Sequence, residues 1–224
     1  GLFTQNGGLV EVSDLLAIGN SVAAPGLLTL NQGTLLGDTL SVGSYGTGSL
    51  QQNGGELIFS EVVVLGEQPG SIGQWWGEGG YAEMDVLRVG GQGTGTMKLD
   101  GGICWPANLV VGDRDGSDGE IEVRGMSTLH SSVVEVGRSG EGLLQISGHG
   151  FCDFDSVVVG SQSEGVGRVE ISGLGQMEAN SLLIGDAGQG QVQQYAGRVV
   201  ARTLETRKVG LIPYTYELSG GDLF

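Results

Sequence analysis

His130, Asp153 and Glu178 fall one repeat apart along the chain. If the repeats stack as rungs, these side chains form one outward stripe, with acids on adjacent rungs ~5 Å apart. Two carboxylates at about that separation suit a retaining glycosidase pair, and the same oxygens suit Ca²⁺. The plainer reading of the same residues is a solvated acidic stripe. Asp113, Asp115 and Asp118 alternate through the loop DRDGSDGE as carboxylates do in a calcium loop, without its full spacing or distal Glu. Calcium is the one cofactor these residues admit. Trp76 and Trp105 are expected to face outward, where they could stack on sugar rings; Trp75 takes a core place, and packing is the plainer role for all three. G-x-S-x-G, P-loop and HExxH motifs are absent, and two histidines leave little for zinc. The stretch Gly90–Met97 approaches a calcium-binding nonapeptide repeat but occurs once, with Gly in the place of Asp.

The elements that must position these residues are repeats. An apolar residue followed by Gly closes each unit: Ile18-Gly19, Val42-Gly43, Leu65-Gly66, Val89-Gly90, Val111-Gly112, Val136-Gly137, Val159-Gly160, Ile184-Gly185 and Val209-Gly210. A second Gly opens each unit, at Gly1, Gly26, Gly48, Gly73, Gly95, Gly119, Gly142, Gly167 and Gly190, with Tyr214 in that place last. Length varies in the loop between closing and opening Gly, as in a solenoid that keeps its strands constant. Within a unit the apolar period is two. Leu144 and Ile146 follow the opening Gly, a Gly turn comes next, and Val157 and Val159 precede the closing Gly. Arg207 breaks that pattern in the ninth unit. No helical period occurs, so the class is all-β. A unit of about 23 residues cannot bury its apolar face alone, and a propeller blade needs about 40 or more. The expectation is a single domain over 1–224. It is a parallel β-helix of nine to ten coils of 22–25 residues with three short parallel sheets, ~45 Å long.

Faces follow from counting back from each closing Gly. Seven residues back lie Val12, Leu36, Phe59, Glu83, Trp105, His130, Asp153, Glu178 and Thr203, expected outward. Five back runs a polar column from Asp14 to Glu205; a buried ladder of carboxylates is too costly, so the chain should turn a corner there. Cys104 and Cys152 share an inward column two rungs apart, beyond disulfide reach, and are expected to be buried free thiols. Four and two back, the outward places hold Val62, Val64, Val110, Val133, Val158 and Leu183. A strand apolar on both sides is usually covered on both, so this face is an expected interface, interrupted by Arg88, Glu135 and Lys208.

The 45 glycines follow no G-X-Y period, and 39% hydrophobic residues in regular places exclude disorder. A net charge of −16 argues against nucleic acid and anionic membrane as partners. No apolar run reaches ~18 residues, so no membrane span is expected. Asn-x-Ser/Thr is absent, and no signal peptide is visible, as in a mature or excised segment. Neither end carries a polar cap, so open β-edges are expected there.

The units GTGSLQQNGGELIFSEVVVLG (46–66) and GTGTMKLDGGICWPANLVVG (93–112) resemble the Gly-rich repeats in passenger regions of bacterial autotransporter-like surface proteins and adhesins. The resemblance covers essentially the whole chain. It implies a β-solenoid of a secreted or cell-surface bacterial protein, and no catalytic residue carries over from it. The expected function is an extracellular, non-catalytic structural or adhesive rod, a segment or subunit of a surface protein or fibre. It would associate end to end or side by side, or continue into further repeats. The alternative is a polysaccharide-binding or polysaccharide-cleaving β-helix using the acidic stripe and outward tryptophans, with a glycan as partner.

Overall fold

The computed structural model describes residues 1–207 and 215–224. It is a parallel β-solenoid of about nine turns. The first two coils are continuous strands, β1 (Leu2–Ile18) and β2 (Gly26–Val42). After them short and long strands alternate. The short ones are β3 (Thr47–Gln52), β5 (Ile72–Gly77), β7 (Thr94–Leu99), β9 (Asp118–Val123), β11 (Glu141–Ile146), β13 (Val166–Ile171), β15 (Gln189–Gln194) and β17 (Thr215–Leu218). The long ones are β4 (Glu56–Leu65), β6 (Tyr81–Val89), β8 (Ile103–Val111), β10 (Thr128–Val136), β12 (Phe151–Val159), β14 (Gln176–Ile184), β16 (Arg198–Thr206) and the stub β18 (Asp222–Leu223).

Each long strand bends at the polar column. The β12–β14 ladder runs Asp153↔Glu178 and Phe154↔Ala179, skips Asp155, and resumes at Ser156↔Ser181. The bend divides the strand into a first arm and a second arm, and these with the short strand give the three faces. The corner residues are tied to side chains on neighbouring rungs: Asn180 Nδ2 donates to Asp155 Oδ1 at 2.9 Å, Ser60 Oγ to Asp38 at 2.9 Å and Thr39 Oγ1 to Glu61 at 3.3 Å.

The handover between coils explains the paired glycines. Gly90 closes its coil at φ +74, and an added Cβ would overlap the Asp118 carbonyl at the start of β9. Gly95 opens the next coil at an ordinary φ, so its need is steric instead. A Cβ there would overlap the Gly90 amide nitrogen and lie 2.7 Å from the Leu65 carbonyl oxygen. Backbone surrounds the site, and no side chain can yield. The in-register pairings Gly73↔Gly95 and Gly95↔Gly119 repeat this close approach from coil to coil.

The core is a set of stacked columns. One runs Leu28, Leu50, Trp75, Met97, Ile121, Leu144, Val169 and Val192, all essentially inaccessible to solvent. Buried Gln52 and Gln194 stand among apolar residues and donate to next-coil carbonyls, at Tyr81 (2.9 Å) and Asp222 (3.0 Å). Cys104 and Cys152 are buried free thiols two rungs apart, both paired with Leu129 between them.

Three expected registers are corrected. The third coil carries an irregularity between Phe59 and Val62, so Phe59 pairs with Met84 and is buried, while Ile58 takes the outward place beside Glu83. At the first coil Glu11, not Val12, pairs with Leu36; at the last Glu178 pairs with Val200, not Thr203. Ile184 pairs with Thr206, and the Arg207 amide donates to the Ile184 carbonyl at 3.0 Å, the bond that the Gly185 amide makes to Val159 one rung earlier. Arg207 therefore holds the closing-Gly place. The expected closure at Val209-Gly210, with Lys208, and the opening at Tyr214 lie outside the described residues.

Gly95→Ala should cost about 3 kcal/mol or more by backbone overlap. Gly116→Ala, at φ +75 but with open space around it, should cost only about 1 kcal/mol. Urea unfolding measures both, and equal costs would refute the close-approach account. Burial also pushes both thiols well above their usual range. Unfolded thiols ionise near pH ~8.5 while the folded ones keep their protons, so stability is intact below that pH. Above it, stability should fall ever more steeply, toward a limiting slope of about 2.7 kcal/mol per pH unit for the pair. The Cys104→Ala/Cys152→Ala double variant should lack this slope between pH ~8.5 and ~9.5; an identical slope would count against it.

Candidate functional site

The first-arm face carries the residues with the most chemistry. Pairing places Glu83, Trp105, His130, Asp153 and Glu178 in one outward column, as the spacing predicts. Trp105 pairs forward by alignment with His130, since Cys104 opposes Leu129. Beside this column run Tyr81, Ile103, Thr128, Phe151, Gln176 and Arg198. The Trp105 indole is 51% exposed, and its ring centroid lies 5.2 Å from that of His130 at a 36° tilt. Phe151 meets His130 edge-on at 6.4 Å. The result is an aromatic platform spanning successive rungs, with Trp105 exposed and His130 and Phe151 half-buried.

The carboxylates beside it are occupied. Asp153 Oδ2 lies 3.3 Å from His130 Nδ1, toward the rung below, and Glu178 Oε1 accepts from Arg198 Nη1 at 3.2 Å, toward the rung above. Asp153 and Glu178 thus sit on adjacent rungs, each with its own partner on the opposite side. Glu83 accepts a 2.7 Å bond from the Tyr81 hydroxyl. That bond and partial burial push the Tyr81 phenol up to about 12, because the carboxylate stabilises the protonated phenol. Chemically, the arrangement offers apolar ring faces and paired polar groups to a ligand with one apolar face, such as a sugar ring.

Trp76 lies elsewhere. It faces outward from the short strand β5, between Gln51 of β3 and Lys98 of β7, and is half-buried. It shares no face with Trp105, because one follows an opening Gly and the other lies on a first arm.

The three aspartates of the proposed calcium loop are not brought together. Asp113 is 7% exposed and lies 3.1 Å from Arg138 Nη1 and 3.7 Å from Arg88 Nε. Beyond it the loop closes on itself. Ser117 Oγ accepts from the Arg114 amide at 3.1 Å, the Ser117 amide donates to the Arg114 carbonyl at 2.9 Å, and Gly116 makes the turn at φ +75. Asp115 and Asp118 are exposed on that turn and on the start of β9. Among the described residues no group of three His, Cys, Asp or Glu side chains is placed to hold a metal ion.

The expected apolar interface is corrected in part. Val64 and Val110 are only 6% exposed within the chain itself. The backbone after the next closing Gly lies over Val64, for a Cβ on Gly91 would stand 2.8 Å from Val64 Cγ1. Val133 is exposed, while Val62, Val158 and Leu183 are half-buried. Arg88 separates Val64 from Val110 in the column, and Glu135 separates Val110 from Val158. The Arg88–Asp113–Arg138 cluster was legible only by combining two columns, one before the closing Gly and one after it. The described residues hold no helix long and apolar enough to cross a membrane.

Replacing Glu83 by Gln should return the Tyr81 phenol toward its ordinary value near 10. Absorbance titration of the tyrosines reads this directly, and an unchanged curve would show that the Tyr81–Glu83 bond is not formed. Compared with protein-family models, with curated proteins and with solved structures, the chain matches none.

Proposed function

We propose that the chain is a non-catalytic structural or adhesive rod of an extracellular or cell-surface protein or fibre. One observation carries this reading: polar side chains on every face are bonded to the adjacent rung. Asn53 Nδ2 donates to Asn31 Oδ1 and Asn31 Nδ2 to Asn6 Oδ1, each at 2.7 Å. Lys98 pairs with Glu122 at 3.1 Å, and Gln145 donates to Glu170 and Gln193 to Glu217, each at 3.0 Å. These bonds tie each rung to the next and repeat along the long axis, as a stiff spacer requires. The outer edge of β1 has no strand partner among the described residues. The Asn ladder reaches it with the Asn6 amide still able to donate. A further rung, from a second copy or from further repeats, fits there.

A second reading keeps the glycan as ligand. Its support is the exposed Trp105 ring in contact with His130. On this reading the first-arm face adheres to sugars without cleaving them, since Asp153 and Glu178 are each held by a basic partner.

Negative-stain microscopy, a glycan array and a reducing-sugar assay test these readings together. The rod should give elongated particles or filaments and release no reducing sugar. Glycan binding on the first-arm face should drop about tenfold or more in Trp105→Ala, in keeping with a stacking contact of ~1.4 kcal/mol. Sugar release abolished by Asp153→Ala or Glu178→Ala would replace the rod with an enzyme.

A further inference from the structure

We infer that the hollow between Arg88, Arg114 and Arg138 is a binding site for an oxyanion, such as a sulfate, phosphate or carboxylate group. Arg88 projects from the second arm of β6. Arg114 and Arg138 lie in the loops that follow Gly112 and Gly137. With Asp113, Ser139 and Gln162 they line a hollow of about 340 Å³, larger than a bare sulfate and within the range of ligand sites. The anion can therefore arrive on a larger residue such as a sugar ring.

Three arginines and one aspartate line this hollow, in a chain with 26 acidic residues and only 10 Lys and Arg. Their commitments differ. Arg138 is engaged twice, with Asp113 at 3.1 Å and Glu135 at 3.4 Å. Arg88 is held loosely: its Nε lies 3.7 Å from Asp113, is buried, and has no hydrogen-bond partner. Arg114 forms no ion pair among the described residues. Ser139 donates to Gln162 Oε1 at 2.7 Å, which leaves the Gln162 amide N–H groups as further donors. Planar guanidiniums with spare N–H groups match the paired oxygens of an oxyanion.

The acidic surroundings do not cancel this site. Glu67, which lines an adjoining hollow with Arg88, accepts from Ser41 and from Ser44, and Glu135 accepts from Ser161 at 2.8 Å as well as pairing with Arg138. Asp115 and Glu164 line an adjoining hollow with Arg114 but form no ion pair with it among the described residues, and acids beyond the Debye length of about 8 Å are screened at physiological salt. The site is separate from the aromatic platform and does not rest on the rod reading.

The test uses the full chain labelled with ¹⁵N, following arginine Nε–H resonances during titration with sodium sulfate, sodium phosphate or sodium glucuronate at constant ionic strength in chloride. Saturable shifts of the Arg88 and Arg114 signals are expected, with Arg124, which follows the far end of β9 from the Arg114 loop and pairs with Asp100 and Glu122, as an unshifted reference. Arg114 sits in an exposed loop, so Arg114→Gln should fold normally and weaken binding about tenfold. The Arg88→Gln/Arg114→Gln double variant should abolish it. Binding of sulfate and phosphate alone assigns a tetrahedral anion, and binding of glucuronate alone assigns a carboxylate. Either result supports the site. Shifts that rise linearly at every arginine, or an affinity unchanged in the double variant, would overturn it and leave Arg88–Asp113–Arg138 as a structural bridge.

Discussion

One coil can hand over to the next only where two backbones approach more closely than a Cβ allows. The Gly90 amide and the Gly95 α-carbon share that space, and the Leu65 carbonyl closes it from the coil before. Gly90 resolves a conformational problem, with φ at +74, and Gly95 a steric one. The rest of the solenoid depends on this junction. If it opened, the short strands would lose the register that stacks Gly73, Gly95 and Gly119. The core columns would then lose their alignment, since a one-residue slip turns every inward side chain outward.

Register imposes a second requirement. Parallel in-register stacking sets each residue about 5 Å from its counterpart on the next rung. Two bare carboxylates at that distance repel by about 1 kcal/mol in water and severalfold more near a protein surface. In a chain of charge −16, the columns meet this by placing a donor beside an acid. Gln145 stands beside Glu170, Lys98 beside Glu122, Thr34 beside Glu56 and Asn180 beside Asp155. At Asp153 and Glu178, where two acids adjoin on the first-arm face, His130 and Arg198 bracket them. The acidic stripe that reads as a hydrolytic pair in one dimension is thus part of the same charge alternation in three.

The fold was largely legible because its two signals are local. Glycine spacing marks the junctions, and a period of two marks the inward columns. Val157, Val159, Cys152 and Leu144 lie where that period places them. The polar column at Asp155 located the corner, since a carboxylate cannot stay in the core. The misplacements share one cause. Counting back from a closing Gly assumes a constant strand length, and the third coil's irregularity moved Phe59 from the outward column into the core. At Arg207 a non-Gly residue holds the closing place, so counting from Gly210 displaced the ninth coil's columns.

The candidate sites were less legible, because side chains from different columns meet across the corner and the loop edge. Asp113 reads as the first ligand of a calcium loop when only its neighbours Asp115 and Asp118 are considered. Its actual partners, Arg88 and Arg138, each lie about one repeat away, in two different columns. A carboxylate so buried would be costly without a charged partner. That arrangement leaves the loop's other two acids to solvent. The same geometry concentrates positive charge at one place on an acidic rod, where each successive rung displays a different side chain. A solenoid gains local chemistry in this way: the backbone repeats, and a site arises where neighbouring columns depart from the repeat together.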